Sequence, residues 1–257
     1  MKIASWNVNS LKARLPHVER MIAGSGPDVL ALQELKLLPE AFPHEALEAA
    51  YPHRAIAGQK TYNGVAILSR RPLDDVQYGI PGYDDPQRRV VAATVDGVRI
   101  VNLYVVNGEA VGSPKYDYKL EWMARVRDFL AAELARHPEL VVLGDFNVAP
   151  EDRDVHDPKR WREKVLCSTR ERQALAQWTA LGLHDSFRLF EPGEGHHTWW
   201  DYRLLAFQRG WGLRIDLVLL SDALKARCTA AGIDRAPRTW ERPSDHCPVF
   251  VELAARA

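Results

Sequence analysis

Residues 140–147, Leu-Val-Val-Leu-Gly-Asp-Phe-Asn, contain the stretch that most clearly indicates the fold. Four apolar residues in succession are typical of a strand that is covered on both faces. The strand gives way at once to Gly144, Asp145 and Asn147. The stretch therefore predicts a layered α/β protein in which polar side chains collect where buried strands end.

Seven further apolar runs predict strands of the same kind, separated by Pro and Gly. They cover residues 2–7, 28–33, 64–69, 90–95, 99–105, 214–220 and 248–253, and residues 140–144 form the eighth run. Helical periodicity lies between them, at residues 15–22 and 122–134, and a capping box from Ser168 to Glu171 predicts a third helix. Several strands follow one another without a helix, which argues against a regular (β/α)₈ barrel.

Composition limits the possible function classes. The 257 residues contain 34 Lys and Arg and 34 Asp and Glu, so the formal net charge is zero. A basic field over the whole chain is therefore absent, and binding of a polyanion would need a local basic patch or a metal ion. With 46% hydrophobic residues, the composition is that of a globular protein rather than a disordered one, and we expect one domain over residues 1–257.

The cysteines and the apolar runs bear on the compartment. Cys167, Cys228 and Cys247 are far apart and form no CxxC pair, so neither a disulfide framework nor a zinc cluster is expected. No apolar run approaches the length of a membrane span, and the first residues lack the pattern of a signal peptide. The sequence therefore predicts a cytoplasmic protein that does not contact the membrane.

Acidic and amide residues recur at the ends of the predicted strands. They are Asn7, Asn9, Gln33, Glu34, Tyr104, Asp145, Asn147, Asp216, Asp245 and His246. Four carboxylates in one region would repel each other unless a divalent cation or a protonated His246 lay among them. Carboxylate and amide oxygens suit Mg²⁺ or Mn²⁺. Asp216 is the expected partner of His246, because it would favour the charged imidazole.

Each of these residues also has a simpler interpretation when taken alone. Asn7 or Asn147 could satisfy its own backbone in a turn. Asp145 could cap a helix, and Asp216 could pair with nearby Arg214. Together, however, the recurrence of such groups at strand ends favours a shared site.

Several segments resemble the motifs of a known family. They are Ser5–Arg14 (SWNVNSLKAR), Leu32–Lys36 (LQELK), Gly144–Pro150 (GDFNVAP) and Ser244–Val249 (SDHCPV), with Trp199–Arg203 (WWDYR) and Gly212–Asp216 (GLRID) narrowing the match. The set is similar to the exonuclease III family of abasic-site endonucleases, within the endonuclease/exonuclease/phosphatase superfamily. The motifs span essentially the whole chain in the family's order.

The resemblance implies a fold and an activity. The fold is a four-layer, DNase I-like α/β sandwich, with two mixed sheets packed face to face and helices outside. The activity is Mg²⁺-dependent hydrolysis of the phosphodiester 5′ to an abasic site in duplex DNA, and Mn²⁺ is expected to substitute. A 3′→5′ exonuclease and the removal of blocked 3′ ends are further implied, and we expect a monomer.

The resemblance also implies roles for individual residues. The positions matched to the reaction are Tyr104, Asp145, Asn147, Asp216 and His246. The positions matched to the metal are Asn7, Glu34 and Asp245, and Asn9, Asp145, Asn147 and His246 are further candidates for its shell. Glu34 is the main metal carboxylate, Asp145 orients or deprotonates the attacking water, and Tyr104 and His246 contact the scissile phosphate.

Residues that would bind DNA follow from the same matches. Arg14, Lys60, Arg88, Arg89, Lys119 and Asn107 are the candidates for contact with the DNA backbone. Trp199, Trp200 and Leu213 match an apolar pocket for a flipped-out abasic sugar. Two alternatives stay open: a phosphatase or nuclease of the superfamily that acts on another substrate, such as an inositol phosphate or RNA, and a DNA-binding protein without catalysis.

Overall fold

All eight predicted runs form strands in the structure, a computed structural model that describes residues 1–256. Their bounds differ from the predicted ones by at most two residues. The strands are β1 Lys2–Asn7, β2 Val29–Gln33, β3 His53–Ala57, β4 Val65–Ser69, β5 Asp74–Tyr78, β6 Val90–Val95, β7 Val98–Tyr104, β8 Leu140–Asp145, β9 Leu183–Asp185, β10 Trp199–Trp200, β11 Gly212–Leu213, β12 Asp216–Ser221, β13 Cys228–Ile233 and β14 Val249–Leu253.

Within residues 1–256, seven α-helices lie between the strands. They are α1 Leu11–Ser25, α2 His44–Glu48, α3 Pro114–Arg136, α4 Pro158–Trp161, α5 Thr169–Thr179, α6 Ala206–Arg209 and α7 Asp222–Lys225, with short 3₁₀ helices at Pro39–Ala41, Asp152–Asp154, Phe187–Leu189, Arg203–Leu205 and Ala236–Thr239. The predicted capping box is present, because Ser168 and Glu171 exchange hydrogen bonds at the start of α5. The long α3 starts at the pair Ser113-Pro114, in which the Ser113 side chain accepts from the Tyr116 N–H.

The strands form two mixed six-stranded sheets and a two-stranded ribbon, β10–β11. The first sheet has the order β13-β14-β1-β2-β4-β3, and the second has the order β5-β6-β7-β8-β12-β9. Within the sheets, β1 pairs with β2 and β7 pairs with β8 in parallel, while the other pairs are antiparallel. The two parallel pairs lie near the centres of the two sheets.

Three apolar layers hold the sheets and helices together. Inward side chains of both sheets, such as Ile3, Ile67, Ile100 and Val218, form the central layer. The outer face of the first sheet packs on α1, and the outer face of the second packs on α3 and α5. The order of layers is therefore helix, sheet, sheet, helix, and the predicted four-layer sandwich is confirmed.

The edge strands were not predicted from the sequence. β3, β5, β9 and β13 are the four outermost strands of the two sheets, and none lies in a predicted run. Edge strands carry polar residues on solvent-exposed positions; β5, for example, is Asp-Asp-Val-Gln-Tyr and is largely exposed. They therefore lack the continuous apolar sequence that marks a buried strand.

Two further expectations concern disulfide bonds and membrane-spanning helices. Cys167, Cys228 and Cys247 are all free thiols. Among residues 1–256, no helix combines the length and the hydrophobicity needed to cross a membrane.

Gly144 is a position in the central strands where only glycine fits. Its φ is +137°, and a Cβ built on it would lie 1.9 Å from the Leu103 carbonyl oxygen of β7. We expect Gly144→Ala to destabilise the fold by about 3 kcal/mol, because the backbone of β7 or β8 must move. The measurement is denaturant unfolding. The matched control is Gly24→Ala in α1, where an added Cβ meets no atom within 4 Å. This substitution should raise the free energy of unfolding by about 0.5–1 kcal/mol. Equal stability of the two variants would contradict the prediction.

Candidate active site

Strand ends from both sheets meet at one edge of the sandwich. The parallel pairs β1–β2 and β7–β8 end there, while β12 runs antiparallel to β8 and begins there. The polar side chains at this edge are Asn7, Glu34, Tyr104, Asp145, Asp216 and His246. The shared site that the strand-end pattern predicts is therefore present.

A bridge of buried amides joins the two sheets beneath this edge. Gln33 Nε2 donates to Asn102 Oδ1 (2.7 Å) and to Ser5 Oγ (2.9 Å). Asn102 Nδ2 in turn donates to the carbonyl oxygens of Leu32 (3.0 Å) and Ala66 (2.9 Å). These directional bonds set the spacing between the sheets directly behind the catalytic candidates.

Two buried carboxylates, Asp145 and Asp216, lie opposite each other in the pairing of β8 with β12. His246 lies between them. Its Nδ1 is 2.9 Å from Asp216 Oδ2, and its Nε2 is 3.7 Å from Asp145 Oδ2. All three residues are less than 5% exposed. The arrangement places a positive imidazolium between two negative groups.

The charges of this group depend on each other. Burial would lower the pKa of His246, but the Asp216 and Asp145 carboxylates outweigh burial and raise it to about 10. Burial raises the pKa of Asp145 to about 7, while the charge of His246 opposes this rise and that of Asp216 adds to it. At neutral pH, His246 is therefore protonated, and Asp145 is able to take up or release a proton.

Glu34 faces the same group from the end of β2. Its Oε1 accepts from Asn7 Nδ2 (2.9 Å), and its Oε2 pairs with Lys36 Nζ (2.8 Å). Burial would raise the pKa of Glu34, but the Lys36 charge and the hydrogen bonds from Lys36 and Asn7 lower it. Burial and the charges of Glu34 and Asp145 raise the pKa of Tyr104 well above its ordinary value, so its hydroxyl stays protonated and bonds Glu34.

The group fits a divalent cation. Glu34, Asp145 and His246 each offer a ligand atom, and the three atoms lie within 4.8 Å of one another. Two of the three donors are carboxylates, and Glu34 is ionised at neutral pH. Carboxylate oxygens suit hard cations such as Mg²⁺ and Mn²⁺. Glu34 and Asp145 are thus the residues placed to hold a metal, and His246 can join them only in its deprotonated form.

Other predicted metal ligands use their polar atoms differently. Asn7 turns its NH₂ group to Glu34 and Asp145 (2.9 Å each), while its oxygen accepts from the Asn9 N–H. The Asp245 carboxylate accepts from Asn9 Nδ2 (2.9 Å) and Trp199 Nε1 (3.0 Å). In this arrangement, Asn7 holds the two carboxylates in place, and Asp245 orients Asn9 and Trp199 instead of joining the three-residue group.

Asn147 follows Asp145 with a left-handed backbone (φ 47°). Its N–H donates to Asp145 Oδ1 (2.9 Å), and its Nδ2 donates to the Val105 carbonyl (2.9 Å). Its Oδ1 accepts from Asn107 Nδ2 (3.2 Å). Asn147 therefore fixes one oxygen of Asp145 and connects the chain after β8 to the chain after β7.

Two predicted DNA contacts are placed inside the protein. Lys119 is fully buried and forms an ion pair with Glu171, so the prediction that it binds DNA phosphate is wrong for this arrangement. The helical pattern of α3 does not reveal which of its charged residues faces inward. Arg89 is 8% exposed, donates to Gln87 Oε1 (2.7 Å) and the Tyr104 carbonyl (3.1 Å), and covers the Tyr104 ring. Arg89 therefore holds Tyr104 in place and has little surface exposed for contact with DNA.

The remaining candidates lie at the surface. Lys60, Arg88 and Asn107 are exposed. Arg14 is partly exposed, and its guanidinium donates to the Asn9 carbonyl (2.7 Å), the Tyr202 hydroxyl (3.0 Å) and the Pro243 carbonyl (3.1 Å). Of the predicted DNA contacts, Lys60 and Arg88 are therefore the exposed cations placed to reach a phosphate backbone.

Only some of the three residues predicted to form the apolar pocket lie together beside the candidate active site. Trp199 pairs with buried Leu213 across β10–β11 and lies opposite His246 in an isolated bridge. Trp200 points to the other side of β10, where it packs with Ala206 and Cys247, because neighbouring strand residues face opposite ways. Trp200 is thus a core residue, and its assignment to the pocket is wrong.

Sequence patterns miss several residues at the site. Beside Trp199 lies a cavity of about 580 Å³ whose walls include Trp161, Trp211 and His156, with Arg160 and Lys164 at its rim. These residues come from α4 and from loops, so no periodicity marks them. Lys36 stands two positions after Glu34 in the LQELK motif, but the sequence did not indicate that the two side chains pair.

Comparison with known proteins identifies the family of the chain. Residues 4–246 match the endonuclease/exonuclease/phosphatase family. The exodeoxyribonuclease III of Haemophilus influenzae is 34% identical over 98% of this chain and 100% of its own length.

Solved structures are similar over nearly the whole chain. A 3′ phosphatase from Neisseria, solved with a product DNA hairpin, is 51% identical with a TM-score of 0.97, covering 99% of this chain and 100% of its own. An AP endonuclease from Archaeoglobus fulgidus is 36% identical with a TM-score of 0.95 over the same shares of the two chains.

The charge of His246 is predicted to depend on Asp216. In metal-free protein, we expect Asp216→Asn to lower the pKa of His246 from about 10, because the strongest opposition to burial is lost. Asp245→Asn should lower it less, because Asp245 contributes less than Asp216. Nitrogen-15 NMR of the imidazole ring measures both. An unchanged titration of His246 in Asp216→Asn would show that the pair does not set its charge.

Proposed function

The chain belongs to the endonuclease/exonuclease/phosphatase family and is a nuclease, and we propose that it hydrolyses the phosphodiester 5′ to an abasic site in duplex DNA. The single observation that carries this proposal is the group of Glu34, Asp145 and His246, which adjoins Trp199. It combines a cation site, a proton acceptor and an imidazolium at one strand edge.

The proposed metal is Mg²⁺, with Mn²⁺ able to replace it. Glu34 and Asp145 supply carboxylate oxygens, and His246 supplies a nitrogen only when it is deprotonated. When bound, the cation would neutralise charge on the phosphate as the attack develops. The charge-neutral chain makes such a local positive group more important for binding a polyanion.

The proposed roles of the chain's own residues follow from their protonation. Asp145, with a pKa near neutral, accepts the proton of the attacking water while the Asn147 N–H holds its other oxygen. Protonated His246 and the Tyr104 hydroxyl donate toward the phosphate oxygens. Asp216 keeps His246 oriented and charged.

The reaction exchanges one bond to phosphorus for another. The water oxygen bonds to phosphorus, and the bond from phosphorus to the 3′ oxygen breaks. The products are a 3′-hydroxyl on one side and a 5′-phosphate on the abasic sugar. In-line attack requires the water held by Asp145 to approach phosphorus opposite the leaving 3′ oxygen, while the groups that contact the non-bridging oxygens lie beside this axis.

Specificity for an abasic site is part of the proposal. Trp199 is partly exposed, packs on fully buried Leu213 and lies next to His246, and the cavity of about 580 Å³ beside Trp199 has room for a sugar turned out of the helix. A missing base reduces the energy needed to turn the nucleotide out. Exposed Lys60 and Arg88 are the proposed contacts to the DNA backbone.

Action on 3′ ends is proposed as a further activity of the same site. The Neisseria relative is described as a 3′ phosphatase and was solved with product DNA. A terminal 3′-phosphate presents the same phosphoryl group to Asp145 and His246 as an internal diester. Blocked 3′ ends and 3′→5′ removal of nucleotides are therefore included among the proposed substrates and activities.

The proposal also covers the state of the protein. Both sheets contribute to the site, which supports one domain over residues 1–257. We propose a monomer, because one chain supplies all the groups of the site. A cytoplasmic location rests on the separate, unpaired cysteines.

The direct test uses an end-labelled duplex with one internal abasic site, beside an undamaged duplex and a duplex with a 3′-phosphate. We expect incision at the abasic site with Mg²⁺ or Mn²⁺ and none with EDTA, because the carboxylate group needs its cation. Shortening of the undamaged duplex measures the exonuclease. If none of the three DNAs is processed with either metal, the protein is a phosphatase for another substrate or a binding protein.

The role of Asp145 has its own test. We expect Asp145→Asn to lower the rate of cleavage by about 10³-fold, because an amide cannot take the water's proton. Binding of abasic DNA in a gel-shift assay should remain. Asp152→Asn, which removes an exposed carboxylate paired with Arg172, is the control and should cleave normally. Turnover by Asp145→Asn at the rate of the control would remove Asp145 from the chemistry.

A further inference from the structure

Lys119 is a cation with no capacity left for a ligand. Its side chain is fully buried. Its Nζ donates to the Glu171 carboxylate, to the Asn147 carbonyl (2.6 Å) and to the Asn107 carbonyl (3.1 Å). An ammonium group has three N–H donors, so all of them are used inside the protein.

Glu171 is equally committed. Its Oε1 accepts from Lys119 and from the Leu166 N–H (3.0 Å), and its Oε2 accepts from the N–H (3.1 Å) and the hydroxyl (2.5 Å) of Ser168. The Ser168 hydroxyl also bonds the Tyr116 hydroxyl (2.7 Å). Glu171 thereby ties the start of α5 to α3 and holds the ammonium group of Lys119 in one place.

Stability alone is a weak reason for such a pair. Burying two charges is costly, and replacing a buried ion pair by neutral residues of similar volume is often neutral or stabilising. The contacts that distinguish this pair are the two carbonyl groups that Lys119 holds. Both belong to residues beside the candidate active site.

The two carbonyls lie in the chain segments that follow β7 and β8. Asn107 comes three residues after Tyr104, and Asn147 comes two residues after Asp145. Asn147 has a left-handed backbone, and its N–H holds Asp145 Oδ1. Lys119 therefore connects, through a single charged group, the segment that carries the proton acceptor to the segment that follows Tyr104.

We propose that Lys119, held by Glu171, is a positioning residue of the cleavage reaction. It fixes the main chains of Asn147 and Asn107, so that Asp145 and Tyr104 keep the separation that attack on the phosphate requires. The proposal rests on the roles proposed above for Asp145 and Tyr104. Lys119 itself contacts neither DNA nor metal.

The test is the double variant Lys119→Met/Glu171→Gln. Methionine is similar to lysine in length and carries no charge. Glutamine keeps one side-chain oxygen, which can still accept from the Ser168 N–H and hydroxyl, while the Leu166 N–H loses its acceptor. Neither charge is left unpaired, so the fold is expected to persist. The two carbonyls lose their common donor.

A matched control is available on the same helix. Arg99 of β7 and Glu133 of α3 form another buried ion pair, with side chains 1% and 0% exposed. Glu133 lies 14 positions after Lys119, which is about 20 Å along α3. Arg99→Met/Glu133→Gln therefore makes the same kind of change far from the active site.

Thermal unfolding first establishes that both double variants are folded, and cleavage of abasic duplex DNA is then measured. We expect kcat of Lys119→Met/Glu171→Gln to fall by about 10- to 100-fold, because a misplaced reacting group costs that much. KM and the salt dependence of binding should stay unchanged, since Lys119 touches no phosphate. The control should keep its kcat.

Two outcomes would overturn the proposal. A kcat equal to that of the control would show that the pair is only structural. A raised KM, with a salt slope reduced by about one, would show that Lys119 is a DNA contact after all.

If the double variant does not fold, Lys119→Arg alone provides the test. It keeps a positive charge beside Glu171 but replaces the single ammonium group that holds both carbonyls. We then expect a smaller loss of kcat at unchanged KM, and an unchanged kcat would contradict the proposal. Failure of the wild-type protein to cleave would instead count against the proposed function.

Discussion

Two carboxylates, Asp145 and Asp216, lie opposite each other on paired strands and are almost completely buried, and much of the site depends on how their charges are balanced. Without compensation, two such groups could not both be ionised. His246 supplies the compensation from the chain just before β14, a strand of the other sheet. The site therefore exists only when the two sheets are packed together, and the same packing gives Asp145 and His246 their unusual pKa values.

The surrounding hydrogen bonds keep this group in one geometry. Gln33 and Asn102 join the sheets beneath it, and Asn7 holds Glu34 and Asp145 from the side. Behind it, Lys119 and Glu171 anchor the segments that follow β7 and β8. The amide NH₂ groups of Gln33, Asn102 and Asn7 and the ammonium group of Lys119 all donate to protein acceptors, so the site is positioned by directional bonds in addition to apolar packing.

The distribution of charge suits a polyanionic substrate despite the net charge of zero. Exposed Lys60 and Arg88 stand apart from the many arginines that are paired inside the protein; buried Arg214, for example, pairs with Asp154 (2.6 Å) and Asp185 (2.7 Å). Counting cations along the chain therefore overstates the surface available to DNA. We propose that a cation bound at Glu34 and Asp145, together with exposed cations such as Lys60 and Arg88, provides the local attraction that the net charge does not.

The sequence alone determined the eight interior strands and most of the residues at the edge that holds the candidate active site. Continuous apolar runs mark strands buried on both faces, and polar residues that end such runs are visible without a structure. The four edge strands were not predictable, because a strand with one free edge does not need an apolar sequence. Only the tertiary structure decided that Lys119 is buried, that Asn7 presents its NH₂ group, and that Trp200 faces the core while Trp199 faces the site. Each of these depends on which neighbouring element a side chain meets, and that contact is made by residues far away in the chain.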